Sequence, residues 1–189
     1  MSQEAAAIHL EFTPNPNTLK FVTNRTLVEK GAVNFTSKDK ADVSPLAGKL
    51  FGVTGVSGVL VGSNFVTITK SQEGSWDVVA EEIPKVLEVH LNNNERIFVD
   101  GFDPNAKTAA MANESAVEQK IREILDQEIR PAVAMDGGDI TFGKFEEGIV
   151  YLHLQGACSS CPSSIATLKM GVEARLKESI PEVKEVVQV

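Results

Sequence analysis

The chain has two cysteines, and they stand three positions apart in Gly156-Ala157-Cys158-Ser159-Ser160-Cys161-Pro162. A pair at this spacing suits two kinds of chemistry. Its thiolates can ligate a soft metal or an iron–sulfur cluster, or they can cycle as a disulfide. As a metal site it is half complete, because a tetrahedral zinc or a cluster takes four ligands. The three histidines, His9, His90 and His153, are too scattered to supply the rest. Two chains on a two-fold axis would complete a four-thiolate site with two cysteines each. Redox cycling of thioredoxin type, a zinc-bridged dimer, and plain packing of two small apolar side chains stay open at this level. A loop between glycine and proline is expected to be a poor place for packing.

The flanking residues dictate how the pair is held. Ile140 to Phe145 and Ile149 to Gln155 alternate as two strands over an Glu146-Glu147-Gly148 turn. Val150, Leu152 and Leu154 share one face; Tyr151 and His153 take the other. Pro162 suits the first position of a helix, which makes Cys161 its N-cap and leaves Cys158 in the preceding loop. The helix start is expected to stabilise negative charge, which would favour thiolates and an anionic cluster. Ile165, Leu168, Val172 and Leu176 give that helix an apolar face, Pro181 stops it, and Val183 to Val189 reads as a closing strand. Upstream, Val117, Ile121, Ile124, Leu125 and Ile129 form an amphipathic helix that Pro131 is expected to kink or end. Asp136-Gly137-Gly138-Asp139 is a turn that uses glycine's backbone freedom.

The first half reads as a second mixed unit. Ile8 to Phe12 and Leu19 to Val22 are strands around Thr13-Pro14-Asn15-Pro16-Asn17, and Val56 to Val61 and Phe65 to Thr69 form a hairpin over Gly62-Ser63-Asn64. Ser44-Pro45 starts a short helix over 45–51. Ser75 caps a longer one carrying Trp76, Val79, Ile83, Leu87 and Leu91, with Pro84 expected to kink it. The polar tract from Asn92 to Ser115 reads as a linker. The expected fold class is therefore α+β: two small mixed α/β domains, 1–91 and 116–189, joined by 92–115. The C-terminal one is ordered helix, strand, strand, helix, strand.

Composition narrows the function classes. The chain of 189 residues carries a net charge of −8. Residues 1–100 hold nine basic and twelve acidic groups and residues 101–189 nine and fourteen, so the halves carry −3 and −5. Neither half is basic, which argues against nucleic acid and against anionic membranes as partners. No stretch approaches the roughly 18 apolar residues of a membrane helix. MSQEAAAIHL has neither a basic secretory n-region nor the arginines of a transit peptide, so the cytosol is expected, with a processed mitochondrial matrix form as the alternative.

Two groups of motifs carry a resemblance. Ile129-Arg130-Pro131, Met135-Asp136-Gly137-Gly138-Asp139 and Leu154-Gln155-Gly156-Ala157-Cys158-Ser159-Ser160-Cys161-Pro162-Ser163-Ser164 through Leu168-Lys169 resemble the C-terminal NifU-like domain of the Nfu family. Glu11 through Phe21, Gly55 through Val59 and Asn64 through Lys70 resemble that family's N-terminal domain. The resemblance implies a non-enzymatic iron–sulfur scaffold and carrier. Such a protein holds a cluster, typically [4Fe–4S] with [2Fe–2S] as the other form, between two chains. It receives the cluster from an upstream donor and passes it to apo-proteins. Cys158 and Cys161 match the family's ligand pair; Ser159-Ser160 departs from it where a glycine is expected. The alternative is a thiol–disulfide oxidoreductase using either cysteine as nucleophile.

Other residues read more plainly. The Asp136–Asp139 turn and the Pro14–Asn17 loop are explained by turn geometry, with shaping of the cysteine loop and client recognition as their functional readings. His153 is a structural strand histidine or a donor near the cysteines. Ser159 and Ser160 either bond cluster sulfur or solvate the loop. Trp76 is core.

Overall fold

The computed structural model describes residues 5–104, 114–159 and 162–189, with side chains in the last segment from 166 onward. Two mixed α/β bodies follow one another along the chain, as the patterning predicts. In the first, strands β1 (Ile8–Phe12), β2 (Thr18–Thr23), β3 (Val33–Phe35), β4 (Val56–Val61) and β5 (Phe65–Lys70) form a five-stranded antiparallel sheet in the order β1-β2-β5-β4-β3.

Strand alternation gives this sheet two different faces. The cross-strand rows Leu19–Ile68–Val59 and Phe21–Val66–Val61 point into the core, against helices α1 (Pro45–Leu50) and α2 (Trp76–Asn92). The intervening row, Lys20–Thr67–Leu60, points the other way. The Ser44 hydroxyl caps α1 by accepting from the Ala47 amide at 3.1 Å. Ser75 caps α2, whose Val79, Ile83, Leu87 and Leu91 line the core at the expected spacing. Each such fully buried side chain contributes about 1.5–3 kcal/mol. The helix runs through Pro84 without interruption. Pro84 sits on a half-exposed flank, so one missing backbone bond is tolerated where packing on the opposite face holds the helix.

The tract beginning at Asn92 folds back before it leaves. Ile97 and Phe98 pack on the N-terminal core, the Val99 amide donates to Val43 O at 2.9 Å, and the Ser44 hydroxyl donates to Ile97 O at 2.6 Å. Residues 105–113 of the expected linker lie outside the described residues.

The second body begins at Ser115, whose hydroxyl and amide exchange hydrogen bonds with Glu118 in a capping box. Helix α3 (Ala116–Ile124) passes into a π-turn (Leu125–Ile129) and then α4 (Arg130–Met135). Pro131 does not end the helix. A proline ring clashes with the carbonyl four residues back, and the wider turn relieves that clash; the Arg130 amide bonds Leu125 O instead. Strands β6 (Gly138–Glu146) and β7 (Ile149–Gly156) form the expected hairpin, and β8 (Glu185–Gln188) pairs parallel to β7. Helix α5 (Pro162–Ser179) begins at the proline expected to start it. Ile121, Leu125, Ile140, Val150, Leu152, Val172 and Leu176 fill a core separate from the first.

Candidate functional site

Cys158 follows β7 in a single 3₁₀ turn, Ala157–Ser159. Gly156 ends the strand at a φ of 62°, a conformation open to glycine. The Ala157 amide donates to Gly137 O at 3.2 Å, and the Ser159 hydroxyl donates to Gly156 O at 2.8 Å, closing the turn. Ser159 thus bonds its own loop. Ser160 and Cys161 lie outside the described residues.

The expectation that this loop is a poor place for packing is overturned. Cys158 is only 4% exposed and belongs to the C-terminal core. Its sulfur rests against Gly138, where an added Cβ would stand 2.5 Å from Sγ. The two adjacent glycines therefore do different work. Gly137 has the positive φ of 78° that turn geometry requires, whereas Gly138 is small because the thiol occupies the space a side chain would need.

A buried ion pair fixes this turn to the helix above it. Arg130 Nε lies 2.7 Å from Asp139 Oδ1, and Nη1 lies 2.8 Å from Asp126 Oδ1. Burial pushes the Asp139 carboxyl above its ordinary range; the Arg130 guanidinium and the Ile140 amide offset this only in part.

The opposite wall comes from the first domain. Asn15, 2% exposed, donates from Nδ2 to Ala157 O at 2.9 Å. The Thr67 hydroxyl donates to Gly137 O at 2.7 Å, and Lys20 Nζ to Met135 O at 3.2 Å. Leu60 covers Gly156, where a Cβ would lie 2.6 Å from Leu60 Cδ2. The outward row of the N-terminal sheet thus sits on the backbone around the cysteine turn. The Pro14–Asn17 loop is an Asx turn, with the Asn17 amide on Asn15 Oδ1 at 3.0 Å, and it presents the Asn15 amide to that same backbone.

The histidines stand elsewhere. His153 Nδ1 bonds Val189 O at 3.1 Å on an exposed side chain, and His90 is buried in α2 with Nε2 3.1 Å from Arg96 O. Trp76 is partly buried and donates its indole N–H to Pro16 O at 3.2 Å. No three His, Cys, Asp or Glu side chains among the described residues gather closely enough to hold a metal ion. The thiolate is a donor suited to a cluster, but a four-ligand centre on Cys158 must draw its further ligands from beyond these residues.

Sequence reasoning missed Asn15, Thr67 and the Arg130–Asp139 pair as parts of this site. Arg130 and Asp139 were within the motifs, but nothing in their spacing announces a buried pair. Asn15 and Ala157 are 142 positions apart, beyond the reach of any local pattern.

Comparison with known proteins covers both halves. Family models match residues 121–187 as a NifU-like domain and residues 8–94 as the N-terminal domain of the scaffold protein Nfu/NifU. A curated protein of Drosophila grimshawi, NFU1 iron-sulfur cluster scaffold homolog, mitochondrial, is 43% identical over 96% of this chain and 61% of its own length. NifU-like protein 4, mitochondrial, of Arabidopsis thaliana is 42% identical over 96% of this chain and 65% of its own. The chain thus spans less than two thirds of the length of these relatives. A solution structure of a NifU-like protein from Saccharomyces cerevisiae aligns with 53% of this chain and 90% of its own at 26% identity, with a TM-score of 0.46.

Proposed function

The chain belongs to the Nfu family, and we propose that it is an iron–sulfur cluster scaffold and carrier, working by binding and release rather than by turnover of a substrate. The cluster is its cargo. Cys158 and Cys161 are the proposed ligands, two from each of two chains, around a [4Fe–4S] centre. The observation that carries this reading is a C-X-X-C whose first cysteine sits on a built turn within a NifU-like domain, with no gathering of three or more His, Cys, Asp or Glu side chains among the described residues. A centre held by two thiolates per chain can leave by exchange, each iron–thiolate bond to this protein being replaced by one to the recipient. Gly138 and the Ser159 hydroxyl shape the turn that carries the first ligand. The names of the relatives, which are iron–sulfur scaffolds, support the role. Those names also place the relatives in mitochondria, so the matrix is the compartment to examine ahead of the cytosolic expectation. Apo-protein clients and an upstream donor follow from the carrier role.

Anaerobic reconstitution with iron, sulfide and thiol tests it. The expected result is a brown protein with about two irons per chain (four shared between two chains), dimeric by size-exclusion chromatography. Cys158→Ser and Cys161→Ser should each abolish uptake. Uptake that survives both substitutions sinks the ligand assignment, and a loaded monomer sinks the bridge. Reduction of a protein disulfide by the metal-free chain, above background, would favour the oxidoreductase instead.

A further inference from the structure

The N-terminal sheet has two edges, and they are protected unequally. At one, β3 is three residues long, a short edge that offers little to another strand. At the other, β1 runs for five residues in unbroken register with β2, without lysine, proline or bulge. Among the described residues no strand pairs with its far side. Its side chains are uncovered too. Leu10 and Phe12 stand opposite Phe21 and Leu19 and so extend the core-facing rows, yet Leu10 is 38% and Phe12 87% exposed.

One bond gives the direction of the edge backbone. The Asn24 amide donates to Ala7 O at 3.3 Å, so by alternation His9 and Glu11 also turn their backbone groups toward β2. Ile8, Leu10 and Phe12 direct theirs to the open edge. The strand Ile8-His9-Leu10-Glu11-Phe12 is complementary to itself when reversed about Leu10. An antiparallel copy placed so sets Leu10 on Leu10, Ile8 on Phe12 and His9 on Glu11, and the edge-facing backbone groups of both strands all find partners. Apolar side chains meet on one face. On the other, Glu11, already 2.9 Å from Lys20 Nζ, gains a histidine.

We propose that β1 is a pairing edge for a second copy of this chain, in the register centred on Leu10. The self-complementary pattern names the occupant, because opposite charges meet across the seam beside matched apolar groups. The two-fold axis stands perpendicular to the sheet. Each C-terminal domain is seated on the outward sheet face through Lys20 and Thr67, so the dimer holds both on the same side. That supplies a second C-terminal domain at high local concentration for a shared centre. This bearing on cluster sharing rests on the carrier reading; the pairing of edges does not. A seam this short makes a small interface, so the association is weak and depends on concentration.

The test is sedimentation equilibrium of the reduced, metal-free full-length chain at up to about 1 mM, with amide hydrogen exchange on the same samples. A monomer–dimer equilibrium is expected, with exchange at Leu10 and Phe12 slowing as concentration rises and exchange at His9 and Glu11 unchanged. Phe12→Lys, at an exposed side chain, and Leu10→Pro, which removes an edge-facing N–H, are each expected to weaken association about tenfold or more. Charge exchange checks the register. His9→Glu sets two carboxylates against each other and Glu11→Lys two basic groups, so each variant alone is expected to associate less, and an equimolar mixture to recover. A chain that stays monomeric throughout overturns the proposal, whether or not the edge takes up an extended peptide of another protein. So does a dimer that Phe12→Lys leaves intact, or a mixture without recovery. The two proposals fail separately. An edge dimer that takes up no iron refutes the carrier alone, and a metal-free monomer that dimerises only on cluster loading refutes the edge alone.

Discussion

The two domains use the same ingredients and place their polar groups differently. The N-terminal core encloses the ring of His90, in a helix whose other inward residues are aliphatic, and its charges are at the surface or on its outward sheet face. The C-terminal domain buries a carboxylate with its guanidinium partner, a thiol and two tightly packed glycines, all within the stretch from Arg130 to Cys158. It also contains the π-turn. Positive-φ residues and a shifted strand register occur in both domains, whereas the buried ion pair and the buried thiol belong to the domain that carries the site. One domain packs its helices on an apolar sheet face, while the other also buries a charge pair that ties its glycine turn to a helix.

Substitutions can break this contrast, beginning with the most damaging. Gly156→Ala puts a side chain on a positive φ and 2.7 Å from Gly137 O, and should cost about 3 kcal/mol or more of C-terminal stability in chemical denaturation. Asp139→Ala, which leaves Arg130 with Asp126 alone, should cost about 3 kcal/mol by the same measurement. Gly138→Ala should cost about 2 kcal/mol, and adding Cys158→Ala should return part of it, because the clash is with the sulfur. No recovery in the double variant would refute the pairing of thiol and glycine.

Acid sharpens the comparison further. Burial, with Lys49 nearby, holds His90 below its ordinary pKa even though Glu95 stands 3.6 Å from Nδ1. Its folded pKa is depressed, so the stability it contributes is present above the unfolded value of about 6.5 and lost as pH falls below it, by at most about 1.4 kcal/mol per pH unit. Asp139 acts with the opposite sign. Its folded pKa is raised, so its contribution is fully present below the unfolded value near 3.9 and fades as pH rises through the folded value. Denaturation followed separately in each domain should show the N-terminal one weakening as pH falls below about 6.5, and His90→Gln should flatten that slope. The smallest effect is favourable. Gly171, within α5 and with nothing within 4 Å of an added Cβ, should gain about 1 kcal/mol on change to alanine, read as a raised thermal midpoint.

Local periodicity made most of the fold legible. Alternation located both hairpins, Ser-Pro and Ser-Trp marked the helix starts, and Pro162 marked the start of α5. The three-residue strand β3 left no such trace, because Val33–Phe35 is too short to alternate visibly. The parallel pairing of β8 with β7 was equally hidden, since direction follows from the crossover and not from either strand. At the site, residue types pointed to Cys158, but its burial did not follow from them. The glycine that admits the sulfur lies 20 residues upstream in β6, and the asparagine that covers the turn lies in another domain.

That long reach has a consequence for how the molecule is made. Domains form in the order in which they emerge during synthesis, and contacts between distant positions form last. Asn15 and Thr67 are translated well before Ala157 and Gly137, the residues whose carbonyls they bond. The backbone of the cysteine turn thus meets partners that were translated before it. Docking of one domain on the other, a matter of milliseconds to minutes, is therefore the last contact that the backbone around the cysteine turn acquires.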